Sequence, residues 1–183
     1  MSRLQPPAVA DLDEAQRAVY DAIASGPRGG VRGPLAVWLW RPELAERAQA
    51  LGQYCRYDSS LEPRLSELAI LVTARHWSSE YEWQAHKKIG LQAGLAPNIV
   101  EAIRTSQTPE FTLDDEAAVY ALASELLTER CIAQATYDRA IKVLGRDAVI
   151  DLVGVLGYYG FVSMTINVFE VDAPTPHELS SGV

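Results

Sequence analysis

Two carboxylates and one histidine stand at spacings that suit proton transfer. In Ser78-Ser-Glu-Tyr-Glu-Trp-Gln-Ala-His86, His86 follows Glu82 by four residues, so on a helix both project from one face. Glu67 comes nineteen residues before His86, beside the core-like Leu68, Leu71 and Val72. Histidine titrates near neutrality, and a carboxylate partner holds its tautomer and tunes its basicity. Such a group moves protons in a pocket. A glutamate on a core-facing side needs a partner, because an unpaired buried charge is costly. His86, across a helical hairpin, would supply one.

A simpler account competes for part of this stretch. Ser79-x-x-Glu82 is a capping-box pattern, and Glu80 and Glu82 suit a helix N-terminus. That account covers Ser79 and Glu82 but leaves His86 and Glu67 unexplained. Tyr81 and Trp83, threaded between, read either as packing aromatics or as pocket walls. Arg75 beside the hairpin reads either as a binder of a substrate carboxylate or as a solvated side chain. Metal binding lacks ligands: the chain has His76, His86 and His177, no His-Glu-x-x-His, and a stable site needs three or four donors. No metal and no cofactor are expected.

The elements that must position these residues are helical. Apolar stripes at helical spacing run through 11–25, 42–57, 61–77, 79–93, 97–106, 112–129, 134–144 and 147–169, punctuated by Gly and Pro. On the second of these, Leu44, Ala48, Leu51 and Cys55 form the predicted buried stripe. Ser60 is placed to cap the 61–77 helix, with Pro63 in its first turn. Residues 26–33 (Gly-Pro-Arg-Gly-Gly-Val-Arg-Gly) make a glycine-rich loop, and no Gly-Lys-Ser/Thr follows to make it a phosphate loop. No alternating strand pattern emerges. The fold class is all-α, a bundle of about eight helices in a single domain over 1–183, with its core at about 40–172.

Residues 152–169 carry no charge, near the length of a membrane span. Three glycines, Ser163, Thr165, Asn167 and acidic flanks argue instead for a buried core or intersubunit helix. Gly154, Gly157 and Gly160 suit close helix packing, while Tyr158, Tyr159 and Asn167 are candidates to line a pocket. The 183 residues are 48% hydrophobic with a net charge of −8, enough for a core and unlike a nucleic-acid binder. An acidic small-molecule substrate stays open, because one pocket arginine outweighs global charge locally. Cys55 and Cys131 are far apart, so they read as reduced thiols. The N-terminus shows no apolar signal segment, so a cytoplasmic location is expected.

The hairpin also carries a resemblance. Glu67-Leu-Ala-Ile-Leu-Val-Thr-Ala-Arg75, then Ser79-Glu-Tyr-Glu-Trp-Gln-Ala-His86 and Ala93-Gly-Leu-Ala-Pro97, resembles the carboxymuconolactone decarboxylase family, which includes alkylhydroperoxidase D-like proteins. The closing stretch 151–170 resembles the family's last helix. In the peroxidase branch a Glu is followed by two cysteines and a His; the corresponding positions here are Glu67, Ser79, Glu82 and His86. The Cys-x-x-Cys pair is absent, and serine and glutamate cannot perform thiol chemistry. The resemblance implies an all-α bundle assembled as a homo-oligomer. It implies a cofactor-independent enzyme acting by acid–base chemistry on a small lactone or carboxylate, a carbon–carbon lyase. His86 would shuttle the proton, Glu67 would orient it, and Glu82 would be either a second acid–base group or only a cap. Thiol-based antioxidant activity and a non-catalytic helical oligomer are the alternatives.

Overall fold

The computed structural model describes residues 2–179. After a 3-10 turn at Val9–Asp11 come α1 (Glu14–Ser25), α2 (Pro34–Trp38) and α3 (Pro42–Gln53). A π-helical turn, Tyr54–Asp58, follows directly. Then come α4 (Pro63–His76), α5 (Glu80–Gln92), α6 (Pro97–Arg104), α7 (Asp114–Glu129), α8 (Gln134–Leu144) and α9 (Arg146–Phe169). Every regular element among the described residues is helical, as the apolar periodicity predicts.

Local chemistry sets the boundaries. Proline fills the first turn of α2, α3, α4 and α6, where its missing N–H breaks no intrahelical bond. A capping box does form, but at α1, where Asp13 and Gln16 bond reciprocally. The one predicted at Ser79 does not: Ser79 has no capping bond, and its buried hydroxyl lacks a partner. The Glu82 carboxylate turns instead toward His86. Ser60 is not the cap of α4 either. Its N–H and hydroxyl donate to Asp151 at 2.7 and 2.6 Å.

α4 is the central element. Leu65 through Ala74 are all buried, and the helix packs against α5, α7 and α9. A helix buried on all sides needs no single apolar stripe. Ser78, with φ +49°, turns the chain so that α4 and α5 lie as an antiparallel hairpin. This places Glu67 and His86 opposite each other.

α9 has the length and composition of a membrane span, yet 67% of its most apolar window is buried in the protein. Two of its three glycines approach neighbours: an added Cβ at Gly154 would lie 3.9 Å from Cys55 Sγ, and one at Gly160 would lie 3.7 Å from Trp77 Nε1. Gly157 faces open space. On α3 the buried face is Ala45, Ala48 and Gly52, with Leu44 and Leu51 about half exposed. Of the predicted stripe, Ala48 and Cys55 are buried while the two leucines turn outward, because the small residues let α3 sit close to its neighbours.

Candidate active site

His86 lies between two carboxylates. Its Nδ1 is 2.7 Å from Glu67 Oε2 and its Nε2 is 3.1 Å from Glu82 Oε2, and all three side chains are at most 7% exposed. An imidazole that donates from both nitrogens is the imidazolium form. Burial opposes that charge, but the hydrogen bonds to Glu67 and Glu82 outweigh it and push His86 up to about 9. With both nitrogens engaged, the ring has no lone pair left for a metal.

The triad opens on one side only. Glu82 and His86 line a pocket of about 230 Å³, whereas Glu67 stands behind the imidazole. Pockets for drug-sized ligands run from roughly 300 Å³ upward, so this one suits a compact molecule. Tyr159 meets the His86 ring edge-on at 5.0 Å, and Tyr158 meets Tyr159 in the same way at 5.2 Å. Burial, aided by the Glu82 charge, raises Tyr159 well above the usual phenol value. Burial also pushes Tyr158 up to about 12, with the Arg28 charge opposing. Both phenols therefore keep their protons at neutral pH. Leu35 and Val162 supply apolar wall.

Two glycines shape the walls. A Cβ at Gly52 would lie 2.1 Å from the Tyr158 hydroxyl and 2.6 Å from Arg28 Nη2, so α3 carries a notch that admits both. At Gly33 (φ +55°) a Cβ would meet the Tyr81 ring at 2.6 Å. The π-turn after α3 brings Arg56 to the same pocket. Asp151 holds both ends of that turn: the Tyr54 hydroxyl donates to it at 2.7 Å from one end, and Ser60 donates from the other. Hydrogen bonds from Ser60 and Tyr54 keep the Asp151 carboxyl below its ordinary value despite burial.

The sequence-predicted residues divide. Glu67, Glu82, His86 and Tyr81 converge, and Tyr158 and Tyr159 join them. Trp83 is fully buried away from the pocket, its indole N–H reaching Glu178 at 3.3 Å. Arg75 lines a separate cleft with Ser124 and Gln107, and Asn167 donates to the Trp77 carbonyl. Neither cysteine lines the pocket; Cys55 is buried and Cys131 exposed. The sequence reading missed Arg28, Arg32 and Arg56. The available signal was the interleaving of arginine with glycine at 26–33, since chemistry-bearing residues concentrate on loops held by a rigid scaffold.

The helical topology is that of the alkylhydroperoxidase D-like fold. Comparison with solved structures agrees on the fold. The debrominase Bmp8 bound to 2,3,4-tribromopyrrole superposes with a TM-score of 0.76 at 16% identity, covering 96% of this chain and 95% of that one. A peroxidase-related protein of Silicibacter sp. TM1040 gives 0.76 at 14% identity over 97% and 94%. An alkylhydroperoxidase AhpD core protein of Ralstonia eutropha JMP134 gives 0.75 at 15% over 100% and 97%. At such identities the likeness shows the fold alone. No curated protein matches the sequence significantly. Residues 42–125 match the family model of the carboxymuconolactone decarboxylase family.

Proposed function

We propose that this protein is a cofactor-independent acid–base enzyme, a carbon–carbon lyase of the carboxymuconolactone decarboxylase type, acting on a small lactone or carboxylate. The observation that carries this reading is the buried Glu67–His86–Glu82 chain with Glu82 at the pocket surface. Glu82 exchanges a proton with substrate, His86 relays it, and Glu67 holds the imidazole in place. In a decarboxylation the bond between the substrate carbon and its carboxylate breaks and CO2 leaves. The electron pair passes into the unsaturated lactone, and a proton from the Glu82–His86 pair ends on the carbon. The step consumes one proton, which solvent returns to the relay.

No thiol lines the pocket, so the thiol-peroxidase alternative has no nucleophile there. The test is turnover of carboxymuconolactone-like acids, followed by CO2 release, in wild type, His86→Ala and Glu82→Gln. Turnover unaffected by His86→Ala would sink the assignment. A Cys55→Ser, Cys131→Ser double variant is expected to turn over normally. Self-association belongs to the same reading. Ile150, Val153, Met164 and Val168 leave an exposed apolar stripe on α9, flanking the open Gly157, that suits a second copy of this chain. Sedimentation of Val153→Arg, expected to be smaller than wild type, tests it.

A further inference from the structure

The cleft that holds Arg75 shares no residue with the pocket at His86. It offers about 240 Å³ between the end of α4, the turn after α6 and one side of α7. Its walls are mostly apolar: Val72, Ile103 and Leu127, with the ring of Tyr120. Phe111 packs against that ring, centroid to centroid at 5.3 Å, and fixes its place. Among the described residues no Asp or Glu lines the cleft, in a chain whose 24 acidic residues outnumber 16 basic ones.

Arg75 is the one full cation lining it, and the protein serves it poorly. Its Nη1 donates to the Ser78 hydroxyl at 3.3 Å, long for such a bond. Its Nε is buried without a partner, and its Nη2 makes no hydrogen bond among the described residues. A half-buried guanidinium short of acceptors is costly unless a ligand supplies them. Gln107 and Ser124 line the same cleft, with side chains that bond nothing else among the described residues. His76 stands at the rim. Partial burial lowers its pKa, so the imidazole is neutral at pH 7 and adds no second charge.

We infer that this cleft is a second binding site, for a compact monocarboxylate with an aromatic or branched apolar body. One guanidinium answers one carboxylate, which would meet Nη2 directly and Nε once the side chain turns toward it. The carbon body would lie on Val72, Ile103 and Leu127, against the Tyr120 ring. Gln107 and Ser124 supply neutral donors beside it. A phosphate fits less well, because its further negative charge would face an apolar wall with no second cation. The site is independent of the proposed reaction: none of its residues belongs to the Glu67–His86–Glu82 chain.

Calorimetry at fixed ionic strength tests it, with benzoate as the probe and benzamide as its uncharged counterpart. Wild type is expected to bind benzoate at least about tenfold more tightly than benzamide, the worth of one charge-assisted pair. Arg75→Gln should lose at least about tenfold in benzoate affinity. Ser124→Tyr, which puts a ring into the cleft and leaves the guanidinium in place, should lose as much. Arg28→Gln and His86→Gln, which alter the other pocket, should bind benzoate as wild type does, and circular dichroism of each variant reports folding. Equal affinity for benzoate and benzamide, or unchanged benzoate affinity in folded Arg75→Gln and Ser124→Tyr, would overturn the inference. So would an affinity lost in Arg28→Gln but kept in Arg75→Gln, which would put the anion in the pocket at His86. Arg75-dependent benzoate binding together with undiminished turnover in His86→Gln would overturn the acid–base reading and leave this second site standing.

Discussion

Arg64 and Glu67 stand one turn apart on α4, and each belongs to a cluster in which one cation lies within hydrogen-bonding distance of two carboxylates; the exposed Glu62 is a looser third neighbour of Arg64 at 3.9 Å. Arg64 bonds Asp115 and Glu116 at the start of α7, both at 2.7 Å. Glu67 shares His86 with Glu82. Counting the hydrogen-bonded groups, the clusters have the same formal charge and the same supporting helix. They differ in the cation and in what lies beside it. The pairing with Asp115 raises the Arg64 guanidinium still further above its already high value, so it never releases a proton, and it is not among the residues that line the pocket beside His86. His86 titrates near 9, where it can release a proton, and opens on a pocket. A buried ion cluster by itself is therefore a staple; on the proposed reading, titration and access are what turn the same construction into a reaction centre.

The largest expected effects come from breaking each cluster. His86→Gln should lower turnover on the order of 10²–10⁴-fold, the usual worth of a placed acid–base group, with a smaller loss of stability. Arg64→Ala should do the reverse. It leaves the buried Glu116 carboxylate unpaired and should cost about 3 kcal/mol of unfolding free energy, with kcat of the folded enzyme unchanged. Urea denaturation beside steady-state kinetics reads both. If Arg64→Ala cut kcat as deeply as His86→Gln, the distinction between staple and reaction centre would be gone.

pH divides the clusters next. The folded value of His86 lies near 9, above the unfolded value of about 6.5. Its contribution to stability is therefore full below pH about 6.5 and is lost as pH rises through about 9. Wild-type Tm should fall across that window and kcat should decline toward its upper end. His86→Gln should lose that part of the fall in Tm, and Arg64→Ala should retain it. The acid limb belongs to the other cluster: hydrogen bonding to Arg64 holds Asp115 below its ordinary value, so that stability is present above the unfolded carboxylate value and lost on acidification. A Tm flat between pH 6.5 and 9 would mean that His86 is not held as the imidazolium.

The two clusters were unequally legible in the sequence. Glu67 and His86 could be paired because a short loop between two strongly patterned helices leaves only a hairpin, and a core-facing glutamate demands a partner. Glu82 was ambiguous, since Ser79-x-x-Glu82 satisfies a capping rule equally well. The nearby imidazole won because it offers a charged donor at 3.1 Å, worth more than a bond to one backbone N–H. The arginines were not legible as a group. They meet only when the 26–33 loop folds against the notch at Gly52, and no local periodicity encodes that closure. The rotation of α3 has the same root: Ala45, Ala48 and Gly52 are buried for their smallness, which a pattern weighted by hydrophobicity reads as a weak face.

Gly52 supplies a subtler break. Gly52→Ala places a methyl where the Tyr158 hydroxyl and Arg28 Nη2 now sit, so both must move. Overpacking of this kind costs roughly 1–3 kcal/mol, and here it should fall on the pocket side. Turnover should drop about tenfold while the Arg64 cluster, judged by the acid limb of the stability profile, stays intact. Unchanged turnover would mean that this notch does not set the shape of the pocket.

The smallest effect concerns how α5 is held from its far side. Glu80 is buried, and its carboxylate accepts the backbone N–H groups of Glu178 and Leu179 at 2.7 and 2.9 Å. Gln84, which accepts the N–H of Thr175 at 2.9 Å, braces the same strap. The tail therefore grips the first turns of the helix that carries Glu82 and His86, using residues whose side chains point away from the pocket. Glu80→Gln keeps the size and one oxygen but weakens two charge-assisted bonds, and should cost about 1 kcal/mol of stability. Because the strap bears on the helix as a whole, the loss should appear as faster hydrogen exchange along 80–86 with turnover little altered. Slower turnover with no change in exchange would instead give Glu80 a direct part in the proton chain, and the division between the supporting and reacting carboxylates of α5 would have to be redrawn.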